Sequence, residues 1–167
     1  KALIEAGADI NKAMDDGTMP LCIAAEKGHG AIVQALIEAG ADISQAEDNG
    51  RSPLLFDAAE MGHEAVVRTL IEAGADINKA YDNVRTPLFA AATHSYEAIV
   101  RVLIEAGADV NKAMNDGATP LFMAAQWGHK AVVRALVEAG ADVNEATDDG
   151  ETPLSVSLTP VFNVRRG

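Results

Sequence analysis

Apolar and polar residues follow a two-helix pattern along this chain, seen most clearly between residues 115 and 147. A short segment, PLFMAA, is followed by Gly128 and then by a longer segment, AVVRALVEA, whose apolar residues recur at helical spacing. That spacing places them on one face of an α-helix. Gly140 then ends the second segment, as glycine commonly does after a helix. The pattern predicts two helices joined by a short turn.

The same pattern recurs at a nearly constant period. Steps of 33, 34, 33 and 33 residues separate five prolines and also the five glycines of a G-A-D motif: Pro20, Pro53, Pro87, Pro120 and Pro153, and Gly7, Gly40, Gly74, Gly107 and Gly140. Such a period indicates stacked repeats that bury their apolar faces on one another. We predict a single array over residues 1–167, with partial repeats at its two ends: full repeats 14–46, 47–80, 81–113 and 114–146, and partial repeats 1–13 and 147–167.

Local signals mark where each repeat begins and where it departs from the rule. Hydroxyl residues stand before four of the repeat prolines and predict helix N-caps there: Ser52, Thr86, Thr119 and Thr152. Met19 stands at the equivalent position before Pro20, where we therefore predict that the cap is lost. One residue is inserted between Pro53 and His63, which predicts either a bulge in that helix or a shifted start. Val84 and Ser95 stand where other repeats have glycine, so we expect a strained or reshaped third repeat.

Residues 115–147 resemble the ankyrin repeat, whose pattern runs D-G-x-T-P-L, A-A, G-H, V-V and G-A-D-V-N. The sequence NDGATPLFMAAQWGHKAVVRALVEAGADVN carries nearly all of these residues, and the other repeats carry most of them. The histidine usual after Pro-Leu is replaced throughout: Cys22, Leu55, Phe89, Phe122 and Ser155. The resemblance implies an all-α solenoid of stacked ankyrin repeats, with helix-turn-helix units and β-hairpin or turn loops. It also implies a non-enzymatic module that binds a protein on its concave side.

Charge and composition limit the classes of molecule that this chain is expected to bind. A net charge of −12 argues against nucleic acid and against anionic membrane surfaces, because both require a basic face. No apolar run is long enough for membrane insertion. A single cysteine, Cys22, excludes an internal disulfide and fits an intracellular location, for which we expect the cytoplasm. No catalytic motif is found, so we expect no cofactor, no metal and no enzymatic activity.

Two groups of polar residues have structural explanations. Three histidines share one repeat position, too far apart for a common metal, and are expected to brace the turn between helices: His29, His63 and His129. Acidic residues at the loop tips are expected to form a solvated rim. The alternatives are a surface that binds a basic partner and a weak Ca²⁺ site. Along the second helices we expect i,i+4 ion pairs: Arg68–Glu72, Arg101–Glu105 and Arg134–Glu138.

Candidate binding residues are those that differ between copies at equivalent positions. They lie before the loop turn, just after it, and near the end of the first helix: Trp127, Met61, Arg51, Arg85, Tyr81, His94 and Gln126. Tryptophan, tyrosine, arginine and methionine are enriched at protein interfaces. Two alternatives stay open here. Trp127 could pack on a neighbouring repeat, and the two arginines could pair with Asp48 and Asp82 instead of a partner.

Two functions of different classes follow from the sequence. The first is a protein-interaction module that presents a concave surface of loop tips and first helices to a protein of unknown identity. The second is a structural subunit or targeting arm of a larger chain or complex, with its uncapped ends covered by neighbours. A stable monomer in solution favours the first function, and aggregation favours the second.

Overall fold

The computed structural model describes residues 5–44, 52–82 and 84–158, and across these ranges the chain is helical. The described residues form nine helices that alternate between short and long: α1 Pro20–Glu26, α2 Gly30–Glu38, α3 Leu54–Glu60, α4 Glu64–Glu72, α5 Pro87–Thr93, α6 Glu97–Glu105, α7 Pro120–Gln126, α8 Lys130–Glu138 and α9 Pro153–Ser157. No sheet forms among the described residues, where strand pairing is limited to one isolated bridge between Tyr81 and Arg85. The predicted all-α repeat solenoid is confirmed.

The helices stack in two layers. The first helices α1, α3, α5, α7 and α9 each contact the next first helix, and the second helices α2, α4, α6 and α8 stack in the same way. The core between the layers is aliphatic, with Leu88, Leu103 and Leu136 fully buried. Small residues such as Ala91 and Ala124, also fully buried, let adjacent first helices approach closely. The apolar periodicity thus becomes one continuous core.

Threonine caps start three of the first helices as predicted. The hydroxyls of Thr86 and Thr119 accept hydrogen bonds from backbone N–H groups three residues later, and Thr152 forms a full capping box with Ser155. Met19, at the equivalent position before α1, makes no such bond and is buried in the core instead. The predicted loss of this cap is confirmed.

We expect Thr119→Ala to lower the free energy of unfolding by about 1 kcal/mol, because the Phe122 N–H loses its hydrogen-bond acceptor. Urea unfolding followed by circular dichroism measures the change. The control Thr119→Ser keeps the hydroxyl and is expected to have a free energy of unfolding close to that of the wild type. Equal losses in the two variants would show that the cap contributes little.

The inserted residue of the second repeat shifts the helix start and leaves no bulge. Helix α3 begins at Leu54, one residue later than the proline start of its neighbours, and it keeps their length of seven residues. The predicted Ser52 cap was wrong, because the shift makes Pro53 the N-cap and Ser52 donates to the Asp57 carboxylate instead. The helix keeps its register because the small pair Ala58 and Ala59 is fully buried between neighbouring helices.

The third repeat is reshaped at both of its missing glycines. Ser95 adopts φ 64°, the left-handed conformation that glycine takes elsewhere between the two helices, so the predicted strain is present. In the loop, Asp82 adopts φ 51°. Tyr81 and Arg85 close this loop by exchanging backbone hydrogen bonds of 2.8 and 3.0 Å. The side chains of Tyr81 and Arg85 are thereby held next to each other.

Histidine and asparagine side chains tie adjacent repeats together. His63 Nε2 lies 3.0 Å from the Glu26 carbonyl oxygen, and His129 Nε2 lies 3.0 Å from that of Thr93. The predicted structural role of these two histidines is confirmed. Asparagine oxygens accept from backbone N–H groups 31 residues later in three places: Asn11 from Asp42, Asn78 from Asp109 and Asn111 from Asp142.

The ion pairs of the second helices run in the direction opposite to the prediction. Arg68 contacts Glu64 at 2.8 Å and Arg101 contacts Glu97 at 2.9 Å, so the expected pairs with residues 72 and 105 were wrong. Glutamate on the N-terminal side of its cation is the favourable order, and it also places the carboxylate near the positive end of the helix dipole. Arg101 additionally reaches Glu138 of the next second helix at 3.9 Å.

Candidate protein-interaction surface

The loop tips and the exposed ends of the first helices form one side of the array, which we call the first-helix surface. The residue that follows each full-length first helix lies on it: Lys27, Met61, His94 and Trp127. All four are exposed, in contrast to the buried alanines two residues before them in the same helices. The repeat therefore provides a fixed backbone position whose side chain differs from copy to copy.

Met61 and Trp127 are large apolar side chains left in solvent at this position. Met61 is 53% exposed and Trp127 is 45% exposed. Gln126, the last residue of α7, is half-buried beside Trp127. The Trp127 backbone N–H donates to the Met123 carbonyl at 3.1 Å, so the helix end fixes where this side chain starts. Burial of such side chains in a complex is favourable because it removes apolar area from water.

Arg85 is held by its own repeats. Its guanidinium carbon lies 5.2 Å from the centre of the Phe56 ring and 5.1 Å from that of Tyr81. The two rings are themselves 5.2 Å apart and tilted by 35°. Contacts of this kind stabilise a cation on aromatic faces by about 0.5–2 kcal/mol. The cluster of Phe56, Tyr81 and Arg85 joins the second repeat to the third.

Two carboxylates complete this cluster. Arg85 contacts Glu60 at 3.5 Å and Asp82 at 3.8 Å, and its side chain is 35% exposed. Of the two alternatives for Arg85, the structure therefore shows pairing within the chain, with Asp82 as expected and with Glu60 in addition. Both pairs are partly solvated, so each contributes only modestly to stability. The positive charge of Arg85 is therefore partly balanced by carboxylates of its own chain.

Two shallow clefts lie between neighbouring first helices. One, of about 70 Å³, runs along the Arg85 cluster and is also lined by Phe89, Thr93 and His94. His94 is exposed, and its ring centre lies 5.8 Å from that of Tyr96. The other cleft, of about 320 Å³, is lined by Glu26, Ser52, Asp57 and Met61. The surface thus combines apolar side chains with carboxylates.

Comparison with known proteins decides the family. A family model described as ankyrin repeats in three copies matches residues 1–81, 80–147 and 112–158. The chain belongs to the ankyrin-repeat family. No curated protein sequence matches the chain. Ankyrin arrays generally mediate protein–protein interaction and typically have no enzymatic activity. Among the described residues of this ankyrin array, no helix has the length and apolar character needed to span a membrane.

The ankyrin array brings some of the predicted residues together and keeps others apart. Tyr81 and Arg85 are in contact, and His94 lies along the same cleft. Met61 lines the other cleft, between the first and second full repeats, whereas Gln126 and Trp127 lie on the fourth repeat. Arg51 lies outside the described residues, as do Glu47 and Asp48. The predicted set is therefore a row of separate contact points along the ankyrin array.

Sequence reasoning missed Phe56 and Glu60, which hold Arg85. Phe56 is almost fully buried inside α3, and the inserted residue of this repeat is the signal that could have drawn attention to it. No group of three histidine, cysteine or acidic side chains suited to a metal ion occurs in the part of the chain that the structure describes. What the arrangement offers chemically is non-covalent contact: apolar side chains, carboxylates and one arginine held on aromatic rings.

Proposed function

We propose that this ankyrin array is a protein-binding module whose partner lies along the first-helix surface. The observation that carries the proposal is the exposure of Met61 and Trp127 at one fixed position of the repeat. Large apolar side chains are common anchors in protein interfaces, where tryptophan is especially enriched. Neighbouring residues of the same short helices are buried and hold that position rigidly.

Different roles follow for the other candidate residues. His94 and Gln126 flank the anchors and provide hydrogen-bonding groups at the rim, where such groups help to fix orientation. Arg85 and Tyr81 form a rigid platform with Phe56, because Arg85 is paired within the chain. Arg51 stays a predicted contact outside the described residues. A preformed surface of this kind loses little conformational entropy on binding.

The second candidate, a structural subunit of a larger assembly, is favoured by a separate observation. Apolar side chains are exposed at the ends of the described array, notably Ile32, Leu154 and Leu158. In that role, neighbouring chains or domains would cover these ends. The intracellular, cytoplasmic location also stays a proposal, supported by the single buried cysteine.

Affinity capture with the immobilised protein tests the first-helix surface. We expect the double variant Met61→Ala/Trp127→Ala to lose at least about tenfold in affinity for the captured protein, since each lost anchor costs about 1–2 kcal/mol. Circular dichroism confirms that the variant is folded. Arg85 is left unchanged, because its substitution would disturb the packing between two repeats.

The matched control is Ile32→Ala, which removes an equally exposed apolar side chain from a second helix. Retention of the partner by this control and its loss by the double variant would support the proposal. Equal retention by the wild type and the double variant would move the binding site away from Met61 and Trp127, and the proposal would then be rejected.

A further inference from the structure

Carboxylates recur along the first-helix surface from one loop tip to the next. Aspartates stand at every loop tip that the structure describes, and all of them are exposed: Asp15, Asp16, Asp82, Asp116, Asp148 and Asp149. Glutamates end the first helices α1 and α3, where Glu26 is exposed and Glu60 is half-buried. Because packed helices lie about 8–10 Å apart, negative charge returns along this surface at roughly that interval.

Cations are fewer on the described part of this surface. Lys27 is exposed after α1, and Arg85 contacts Glu60 at 3.5 Å and Asp82 at 3.8 Å. Arg51 belongs to the second loop tip, which lies outside the described residues together with its two acidic residues. The eight carboxylates named above therefore stand against two cations, one of them already in contact with two of these carboxylates.

The second helices have a different charge balance. They contain six glutamates and four exposed cations: Arg68, Arg101, Lys130 and Arg134. Two of these cations pair with a glutamate one turn earlier, at 2.8 and 2.9 Å. Compared with the second helices, the first-helix surface has more carboxylates for each cation. A negative potential is therefore expected on the side of the array that exposes Met61 and Trp127.

Carboxylates and apolar anchors occur together on this surface. Met61 and Glu26 line the same cleft of about 320 Å³ between the first and second full repeats. Lysine and arginine fit such a place, because their apolar stems pack on apolar side chains while the charged heads stay at the polar edge. A cation can also bind on the face of an exposed tryptophan such as Trp127. The anchors and the carboxylates thus favour the same partner side chains.

We propose that the partner of the first-helix surface is a basic protein segment, in which lysine or arginine residues are interspersed with apolar ones. This inference rests on the proposed function, since it specifies the chemistry of the partner at that same surface. The apolar residues of the segment cover Met61 and Trp127, and its cations face the aspartates of the loop tips. An acidic segment is disfavoured by like-charge repulsion.

Charge and apolar contact are expected to affect different rates. Complementary potentials speed the encounter of two molecules, and salt screens them beyond about 10 Å at 0.1 M ionic strength. Binding is therefore expected to weaken as salt is added, chiefly through slower association. Loss of Met61 or Trp127 is instead expected to speed dissociation, because short-range contacts mainly determine that rate.

The test begins with selection of peptides from a random library displayed on phage, using the immobilised wild-type protein. Lysine and arginine are expected to be enriched at least about twofold in the selected peptides over the unselected library, because complementary charge favours them. The selected peptides are then synthesised, and their association and dissociation rates are measured with variants of this protein.

Two variants of equal charge locate the electrostatic contribution. The tip variant is Glu26→Gln/Asp116→Asn/Asp148→Asn, and the control, on the second helices, is Glu38→Gln/Glu72→Gln/Glu105→Gln. Each removes three negative charges and changes the net charge from −12 to −9. Asparagine at position 116 keeps an oxygen for the Ala118 N–H, so the loop is expected to fold. We expect about fivefold weaker binding to the tip variant and a change within about twofold for the control.

The outcomes separate this inference from the proposed function. Peptides that need Met61 and Trp127 but are not enriched in lysine or arginine would overturn the inference and leave the proposed function standing. Basic peptides that bind Met61→Ala/Trp127→Ala as tightly as the wild type would reject both. Equal weakening by the tip and control variants would assign the effect to overall charge and overturn the inference, as would recovery of no peptide above background.

Discussion

Replacing Leu88 by alanine is expected to lower the free energy of unfolding by about 3 kcal/mol. The side chain is fully buried between the two helix layers of the third repeat, so its loss removes apolar burial and leaves a cavity. The third repeat connects both halves of the array, and neighbours stabilise one another across each junction. Urea unfolding followed by circular dichroism measures the effect.

Leu154→Ala is the matched control for this prediction. Leu154 stands at the same repeat position as Leu88 but is largely exposed, so the expected change is within about 0.5 kcal/mol. Large, similar losses in both variants would mean that Leu154 is covered in solution. Small losses in both would contradict the buried core described for the interior repeats.

Gly28→Ala is expected to be the most damaging of the glycine substitutions between the two helices. Gly28 has φ 71°, where an L-residue is strained by about 1–2 kcal/mol. A Cβ built there would also lie 2.6 Å from His63 Nδ1. The His63 ring cannot easily move aside, because its Nε2 is bonded to the Glu26 carbonyl. We expect a total loss of about 3 kcal/mol, since overpacking adds to the strain.

Gly128→Ala separates the two causes. Gly128 has the same φ of 71°, but a Cβ there would meet nothing within 4 Å. Its expected loss is therefore the strain alone, about 1–2 kcal/mol. In the double variant Gly28→Ala/His63→Ala the clash is removed, so the two changes are expected to cost less than the sum of their separate effects. Strict additivity, or equal losses at Gly28 and Gly128, would contradict the close approach of His63.

The helices and the stacking could be predicted because they depend on a pattern repeated along the chain. Apolar periodicity, the glycines between helices and the hydroxyl before proline each determine local backbone geometry. The Ser52 cap failed for the opposite reason: buried Ala58 and Ala59 keep α3 in register with its neighbours, so the inserted residue is absorbed before the helix. Tertiary packing there overrides a local signal.

The candidate surface was less predictable because it depends on side-chain conformation. Sequence places Arg85 near Asp82, but it does not show that the guanidinium packs against both Phe56 and Tyr81 and lies beside Glu60. Arg68 has glutamates four residues away on both sides, and only the structure shows that it contacts Glu64. The variation between copies at Met61 and Trp127 was visible in the sequence, and their exposure required the structure.

The most direct test of the proposed binding surface is site-specific photo-crosslinking to the captured partner. A photoreactive amino acid replaces Trp127 in one variant and Ala131 in another. Both residues are exposed in the fourth repeat, but Trp127 follows the first helix α7 whereas Ala131 lies on the second helix α8. We expect a crosslinked complex from position 127 and little crosslinking from position 131. Strong crosslinking from position 131 with none from position 127 would show that the partner binds the second helices and not the first-helix surface.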